Sequence, residues 1–183
     1  VYTVVPTFGT CSAGNAGNSF TVTVFVNPTP AINTINRTTC SGAPFVITPT
    51  QGTDGFVPTG TQYTWGIPSY GNVSMSGGQS QTSASPNIFG TVKNATNTTY
   101  NVTYSVIPST GLCSGTAFNV VVAIDPKPTI TQMSTTICNG AFTVTPSNGT
   151  NGVVPANTFY TWGIPTPSLS LIHISEPTRR RGI

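Results

Sequence analysis

The sequence predicts an all-β fold in which antiparallel two-sheet sandwiches follow one another in a tandem array, and three observations carry that prediction. The first is repetition. Tyr-Thr-Trp-Gly-Ile-Pro stands at 63–68 and again at 160–165, an offset of 97. The second is alternation of apolar and polar residues in short runs rich in Val, Ile, Tyr, Phe and Thr, the residues that favour strands. The third is punctuation: Gly and Pro break the chain every few residues, and no stretch has the length or composition of a helix.

The repeat holds well outside the six-residue motif. Cys-Ser-Gly-Ala-Pro-Phe at 40–45 returns as Cys-Asn-Gly-Ala-Phe at 138–142, and Val57-Pro58 returns as Val154-Pro155. Phe-Thr-Val-Thr-Val at 20–24 matches Phe-Asn-Val-Val-Val at 118–122, and Asn-Pro-Thr-Pro at 27–30 matches Asp-Pro-Lys-Pro at 125–128. A unit of roughly 98 residues exceeds the 20–50 residues of solenoid repeats, so each unit is expected to own a core. The expected division is residues 1–28 as the closing part of one repeat, 29–128 as a complete repeat, and 129–168 as the opening part of the next. The chain begins at Val1 inside an alternating run whose Tyr2 and Pro6 match Tyr104 and Pro108, an offset of 102, so it is expected to start within a strand, and the lack of a leader carries no information.

Residues 169–183 are set apart. Leu-Ser-Leu-Ile-His-Ile-Ser-Glu-Pro-Thr-Arg at 169–179 resembles, codon for codon, the translation of a transposon-based sequencing adapter, and it ends the match to the first copy. A basic amphiphilic tail is the alternative reading. Setting the segment aside removes the single histidine, His173, and three of the six basic residues. Arg37, Lys93 and Lys127 then face Asp54 and Asp125, a net charge of +1 in place of +3. No footprint for nucleic acid survives. No run approaches the roughly 20 apolar residues that span a bilayer, so no membrane insertion is expected.

Within the complete unit the elements follow in order. Phe45 and Ile47 form one apolar row, and Tyr63, Trp65 and Ile67 form another. The Ser/Gln/Gly-rich stretch 74–85 reads as a flexible or edge region. Tyr100, Val102, Tyr104 and Val106 point one way, with Asn101, Thr103 and Ser105 opposed. Phe118, Val120, Val122 and Ile124 form the last row. Rows of period two with one polar face describe antiparallel sheets covered on one side. The Pro-x-Pro segments at 28–30 and 126–128 are expected to lie between units as stiff joints that keep neighbouring sheets from merging.

Four cysteines permit three connectivities. Cys40 opens the complete unit and Cys113 sits in a turn between its last two strands, so a structural disulfide Cys40–Cys113 is expected. Cys11 matches Cys113 and Cys138 matches Cys40, each with its partner outside the chain. A Cys11–Cys40 bridge is the main rival. Closing the loop from 40 to 113 would contribute about 4 kcal/mol on the chain-entropy estimate. Charged residues make up 5% of the chain, against about 25% in an average globular protein. Catalysis needs a base, an acid or a metal, and only Asp54 and Asp125 remain, both in turn or linker contexts. No catalytic residue, cofactor site or metal site is therefore expected, zinc and calcium included. Trp65 invites a sugar-stacking reading, but its strand position beside Tyr63 favours a core role shared with Tyr63, Tyr104 and Phe118. Six Asn-x-Ser/Thr sequons begin at Asn36, Asn72, Asn94, Asn97, Asn101 and Asn148, as expected by chance in a chain this rich in Asn and Thr.

Taken together, Thr-Thr-Cys-Ser-Gly at 38–42, Phe-Val-Ile-Thr-Pro at 45–49, Gly-Thr-Gln-Tyr-Thr-Trp at 60–65, Tyr-Asn-Val-Thr-Tyr at 100–104, Cys-Ser-Gly at 113–115 and the Val/Pro pattern of 120–128 form a family pattern. It resembles the PKD-like repeats of large secreted surface proteins from Bacteroidota, over essentially 1–165. The resemblance implies an immunoglobulin-like β-sandwich, an extracellular or cell-surface location, and export often by the type IX pathway. It implies a non-catalytic spacer or adhesion stalk whose partner is a protein or glycan surface ligand. A carbohydrate-binding module is the alternative. Lastly, the partial units at 1–28 and 138–165 are expected to be mobile, or to pair between molecules as complementary halves.

Overall fold

The structure is a computed structural model and describes residues 1–9, 17–138 and 140–164. Strands β1 (Tyr2–Val4) and β2 (Phe20–Val22) form an antiparallel hairpin of their own. Twelve strands follow between Ala31 and Asp125: β3 (Ala31–Ile32), β4 (Ile35–Cys40), β5 (Pro44–Ile47), β6 (Gly55–Phe56), β7 (Gln62–Trp65), β8 (Ser69–Tyr70), β9 (Met75–Gly77), β10 (Gln81–Ser85), β11 (Ile88–Asn94), β12 (Tyr100–Thr110), β13 (Cys113–Ser114) and β14 (Phe118–Asp125). Then β15 (Thr129–Ile130) pairs with β16 (Gly152–Val153). Among the described residues there is no helix.

Strands β3 to β14 build a two-sheet sandwich. The larger sheet runs β10-β7-β12-β14-β4, with β8 and β13 also laddered to β12. The smaller sheet runs β5-β11-β9, and the short β3–β6 pair stands apart. Strand β12 organises the larger sheet because it is 11 residues long. One edge takes β7 and β8, and the other takes β14 and β13. Its Val102, Tyr104 and Val106 are buried, as are Phe118, Val120, Val122 and Ile124 of β14. Phe45, Ile47, Met75, Ile88 and Val92 close the core from the smaller sheet. Each such side chain removed from water contributes roughly 1.5–3 kcal/mol. All the buried apolar side chains of the described residues lie between Pro30 and Ile124. The module from β3 to β14 therefore closes on itself without help from the segments at either end.

Several details correct the sequence reading. One pair is parallel: β14 and β4 run together from Val120↔Ile35 to Asp125↔Cys40. Ile67 is 79% exposed rather than part of the Tyr63/Trp65 row. Gly66 offers no side chain and Pro68 no N–H donor, so β7 stops at Trp65. Of the two readings of 74–85, flexible or edge, the structure has the edge: it supplies an edge strand to each sheet, β9 and β10, although the burial of Met75 was not expected. Pro30 is buried inside the unit rather than lying in a joint. A Cβ at Gly115 would stand 2.1 Å from the Pro30 carbonyl oxygen, so only glycine permits that contact.

The largest correction concerns the disulfide. Cys40, Cys113 and Cys138 are free thiols. Cys40 lies opposite Asp125, one residue past the Ile124↔Tyr100 pair, whereas Cys113 lies opposite Thr110. The two cysteines thus sit at opposite ends of the 11-residue strand β12, roughly 35 Å apart at about 3.3 Å per residue. A disulfide needs Cα atoms about 4.4–6.8 Å apart, so this pair does not bridge. Cys11 of the rival pairing lies outside the described residues, as does the adapter-like segment 169–183.

Candidate functional site

Trp65, Tyr63, Tyr104 and Phe118 meet in the core. The Trp65 ring meets Tyr104 edge-on at 6.5 Å between centroids and Phe89 at 5.5 Å. Tyr63 meets Phe118 at 6.4 Å, and Phe45 meets Tyr104 at 5.7 Å. The edge-to-face arrangement is the one aromatic quadrupoles prefer. Trp65 is 4% exposed and its Nε1–H donates to the Gln79 carbonyl at 2.8 Å. Neither face of that indole is open to a sugar ring.

Burial pushes the Tyr104 hydroxyl up to about 12, with Tyr70 adding to the shift. Burial and then the Asp54 charge do the same for Tyr63. The Tyr104 hydroxyl is fully buried without a hydrogen-bond partner. It fits because Gly78 and Gly90 have no side chains: a Cβ at either would lie 2.6 or 2.8 Å from the oxygen. Directly outside these glycines runs an open groove of about 480 Å³, with Phe45, Trp65, Gln79, Gln81 and Phe89 among its walls. It contains no titratable side chain. Its partly exposed ring is Phe89, at 45%, which packs against Trp65 with the ring planes 84° apart.

The two carboxylates are absorbed by local structure. The Thr50 N–H donates to Asp54 Oδ2 at 2.8 Å, and the Asp54 N–H donates to the Thr50 carbonyl at 3.0 Å. The same turn recurs at 147–151 with an amide: the Ser147 N–H donates to Asn151 Oδ1 at 2.9 Å, and the Asn151 N–H donates to the Ser147 carbonyl at 2.9 Å. The Val57 N–H donates to Gln51 Oε1, as the Val154 N–H donates to Asn148 Oδ1. The turn thus needs an acceptor oxygen at this place and has no need of the charge. Asp125 accepts a 2.6 Å bond from the Thr99 hydroxyl at the other end of the unit. Among the described residues, no three His, Cys, Asp or Glu side chains gather as a metal site would require.

One structural hub was invisible in the sequence. Asn94 is 4% exposed, and its Nδ2 donates to the carbonyls of Thr98 and Ile124, each at 2.8 Å. Its Oδ1 accepts from the Thr96 N–H and hydroxyl, and its own N–H donates to Ser41 Oγ at 2.9 Å. At the Cys40 end this residue ties β11 to β14 through its side chain and to the β4–β5 turn through its backbone. As a sequon asparagine it is already fully engaged. In a background so rich in Asn, nothing in the sequence distinguished it.

No helix among the described residues is long and apolar enough to cross a membrane. Comparison with known proteins finds no match among curated proteins and none among solved structures. A family profile described as "PKD-like domain" matches residues 37–128, half of the chain and nearly all of the closed sandwich. Such domains are generally non-catalytic and typically occur in extracellular proteins. On that match and on the all-β sandwich that carries it, the chain belongs to the PKD-like domain family.

Proposed function

We propose that this chain is part of an extracellular array in which the sandwich acts as a structural spacer, an adhesion stalk that holds another domain away from its anchor. The observation that supports this reading most is the path of the chain. It enters the complete unit beside the β12–β13 turn, where Pro30 packs on Gly115, and leaves at Asp125, at the far end of β12. Units joined that way extend in one direction. The β3–β6 pair and its turn begin again as β15–β16, so the following segment starts the same fold.

Each added unit lengthens the array by about the span of β12, roughly 35 Å at about 3.3 Å per residue. Small-angle scattering on chains carrying one, two and three complete units tests this. The maximum dimension should grow by about that step per unit, and a dimension that grows only as a compact globule would refute the spacer reading. The carbohydrate-binding alternative is less well supported, because Phe89 is the one exposed ring in the wall of the groove and Trp65 is enclosed. A glycan array probed with the full chain separates the two readings: specific retention of one sugar class would favour the alternative.

A further inference from the structure

The free thiols sit at the two ends where units meet. At the entry end, Asn27 packs on the β12–β13 turn, and a Cβ at Gly111 would lie 2.8 Å from Asn27 Nδ2. Cys113 is two residues further along that turn, and half-buried. At the exit end, Cys40 is exposed and lies opposite Asp125, and the Ser41 N–H donates to the Asp125 carbonyl at 2.8 Å.

The repeat converts these two ends into one joint. Asn27 is the counterpart of Asp125, 98 residues earlier. In the preceding unit, the counterpart of Cys40 therefore lies opposite Asn27, one strand spacing of about 4.8 Å away. Asn27 itself touches the turn that carries Cys113. A Cys40-type thiol from one unit and a Cys113-type thiol from the next thus face the same junction. Within one unit the same two thiols are separated by the length of β12.

We propose that the cysteines of this array form disulfides across the joints: Cys113 with the Cys40 counterpart of the preceding unit, and Cys40 with the Cys113 counterpart of the following one. The repeat gives Cys138 and Cys11 the same kind of partner, each in a neighbouring unit. Each bond forms by exchange with a small-molecule disulfide such as oxidised glutathione. The two protein S–H bonds break, one protein S–S bond forms, and the small disulfide takes up two electrons and two protons to become two thiols. Such staples fix the angle between units that the short joint alone leaves to rotation. The inference rests on head-to-tail repetition and on the places of the thiols, and not on what the array is for.

The test uses a chain in which residues 1–125 are followed by residues 28–183, which duplicates the complete unit at equivalent positions. Cys11→Ser and Cys138→Ser remove the outer thiols. One variant keeps Cys40 of the upstream copy and Cys113 of the downstream copy, with Ser at the other two positions; a second keeps the reverse pair. In a glutathione redox buffer the first variant should lose both thiols to oxidation, as counted by alkylation and mass spectrometry, while the second keeps both. Two free thiols in the first variant, or equal oxidation of the second, overturns the proposal. A further measurement does not depend on the duplicated chain folding. The unaltered 183-residue chain in the same buffer, taken from its monomer band on a non-reducing gel, should yield no peptide linking Cys40 to Cys113, and finding that peptide within a single chain would overturn the proposal. The scattering experiment on array length fails or succeeds independently of these thiol counts.

Discussion

Tyr104→Phe should stabilise the sandwich, although it deletes a polar group from a side chain at the centre of the core. Tyr104 is 0% exposed and its hydroxyl has no hydrogen-bond partner. A buried polar group left unpaired costs about 1–3 kcal/mol. Removing the oxygen leaves a void of roughly 12 Å³, which costs about 0.3 kcal/mol at ~24 cal/mol per Å³. The ring and its edge contacts with Phe45 and Trp65 remain. The expected gain is about 1–2 kcal/mol, read as a rise in the urea midpoint with an unchanged slope, and as a Tm higher by about 4–8 °C per kcal/mol.

A second variant ties the effect to the oxygen itself. Gly90→Ala places a Cβ 2.8 Å from that hydroxyl and 3.0 Å from Phe45 Cζ, so it should cost about 1–3 kcal/mol. In the Tyr104→Phe background the closer of the two clashes is gone and the cost should fall, giving a measurable coupling. Loss of 1 kcal/mol or more in Tyr104→Phe alone would refute the reasoning, because the hydroxyl would then be making a bond the packing does not provide.

Three other outcomes follow from the same geometry. Asp54→Asn should change stability by less than about 0.5 kcal/mol, because Asn151 builds the same turn, whereas Asp54→Ala loses the acceptor and should cost about 1 kcal/mol in urea unfolding. Asn94→Ala should cost about 1–3 kcal/mol in the same assay, since the carbonyls of Thr98 and Ile124 lose their donor. Tyr63 and Tyr104 both titrate near 12 in the folded state, against 10.0 when unfolded. Their neutral form is thus favoured by folding, so stability holds below pH 10 and falls as pH rises from 10 toward 12. A urea midpoint that stays flat across that window would contradict the burial of these hydroxyls.

The row on β12 was legible because Tyr and Val alternate with Asn, Thr and Ser over 100–106, and that on β14 because Phe118, Val120, Val122 and Ile124 recur with period two. The β4 edge was not, because Asn36, Arg37 and Thr38 are all exposed and carry no alternation. Met75 was hidden in a Ser/Gly-rich stretch whose composition outweighs one apolar residue. The turn role of Asp54 could be read from Thr-Asp-Gly at 53–55, and its amide counterpart Thr-Asn-Gly at 150–152 agrees with it. The cysteines failed for a geometric reason. Spacing along a chain shows which residues recur, but the end of the sandwich each one reaches depends on strand direction. The parallel run of β4 beside β14 carries Cys40 to the end opposite the β12–β13 turn.

The sandwich topology fixes how far apart those two ends lie. In the full chain with Cys11→Ser and Cys138→Ser, spin labels on Cys40 and Cys113 report their separation directly by pulsed dipolar spectroscopy. A single distribution centred at roughly 30–40 Å is the predicted result, from the strand rise of about 3.3 Å per residue. A distribution below roughly 15 Å would contradict the sandwich topology, since it would bring within a few residues' rise two positions that β12 holds a full strand apart.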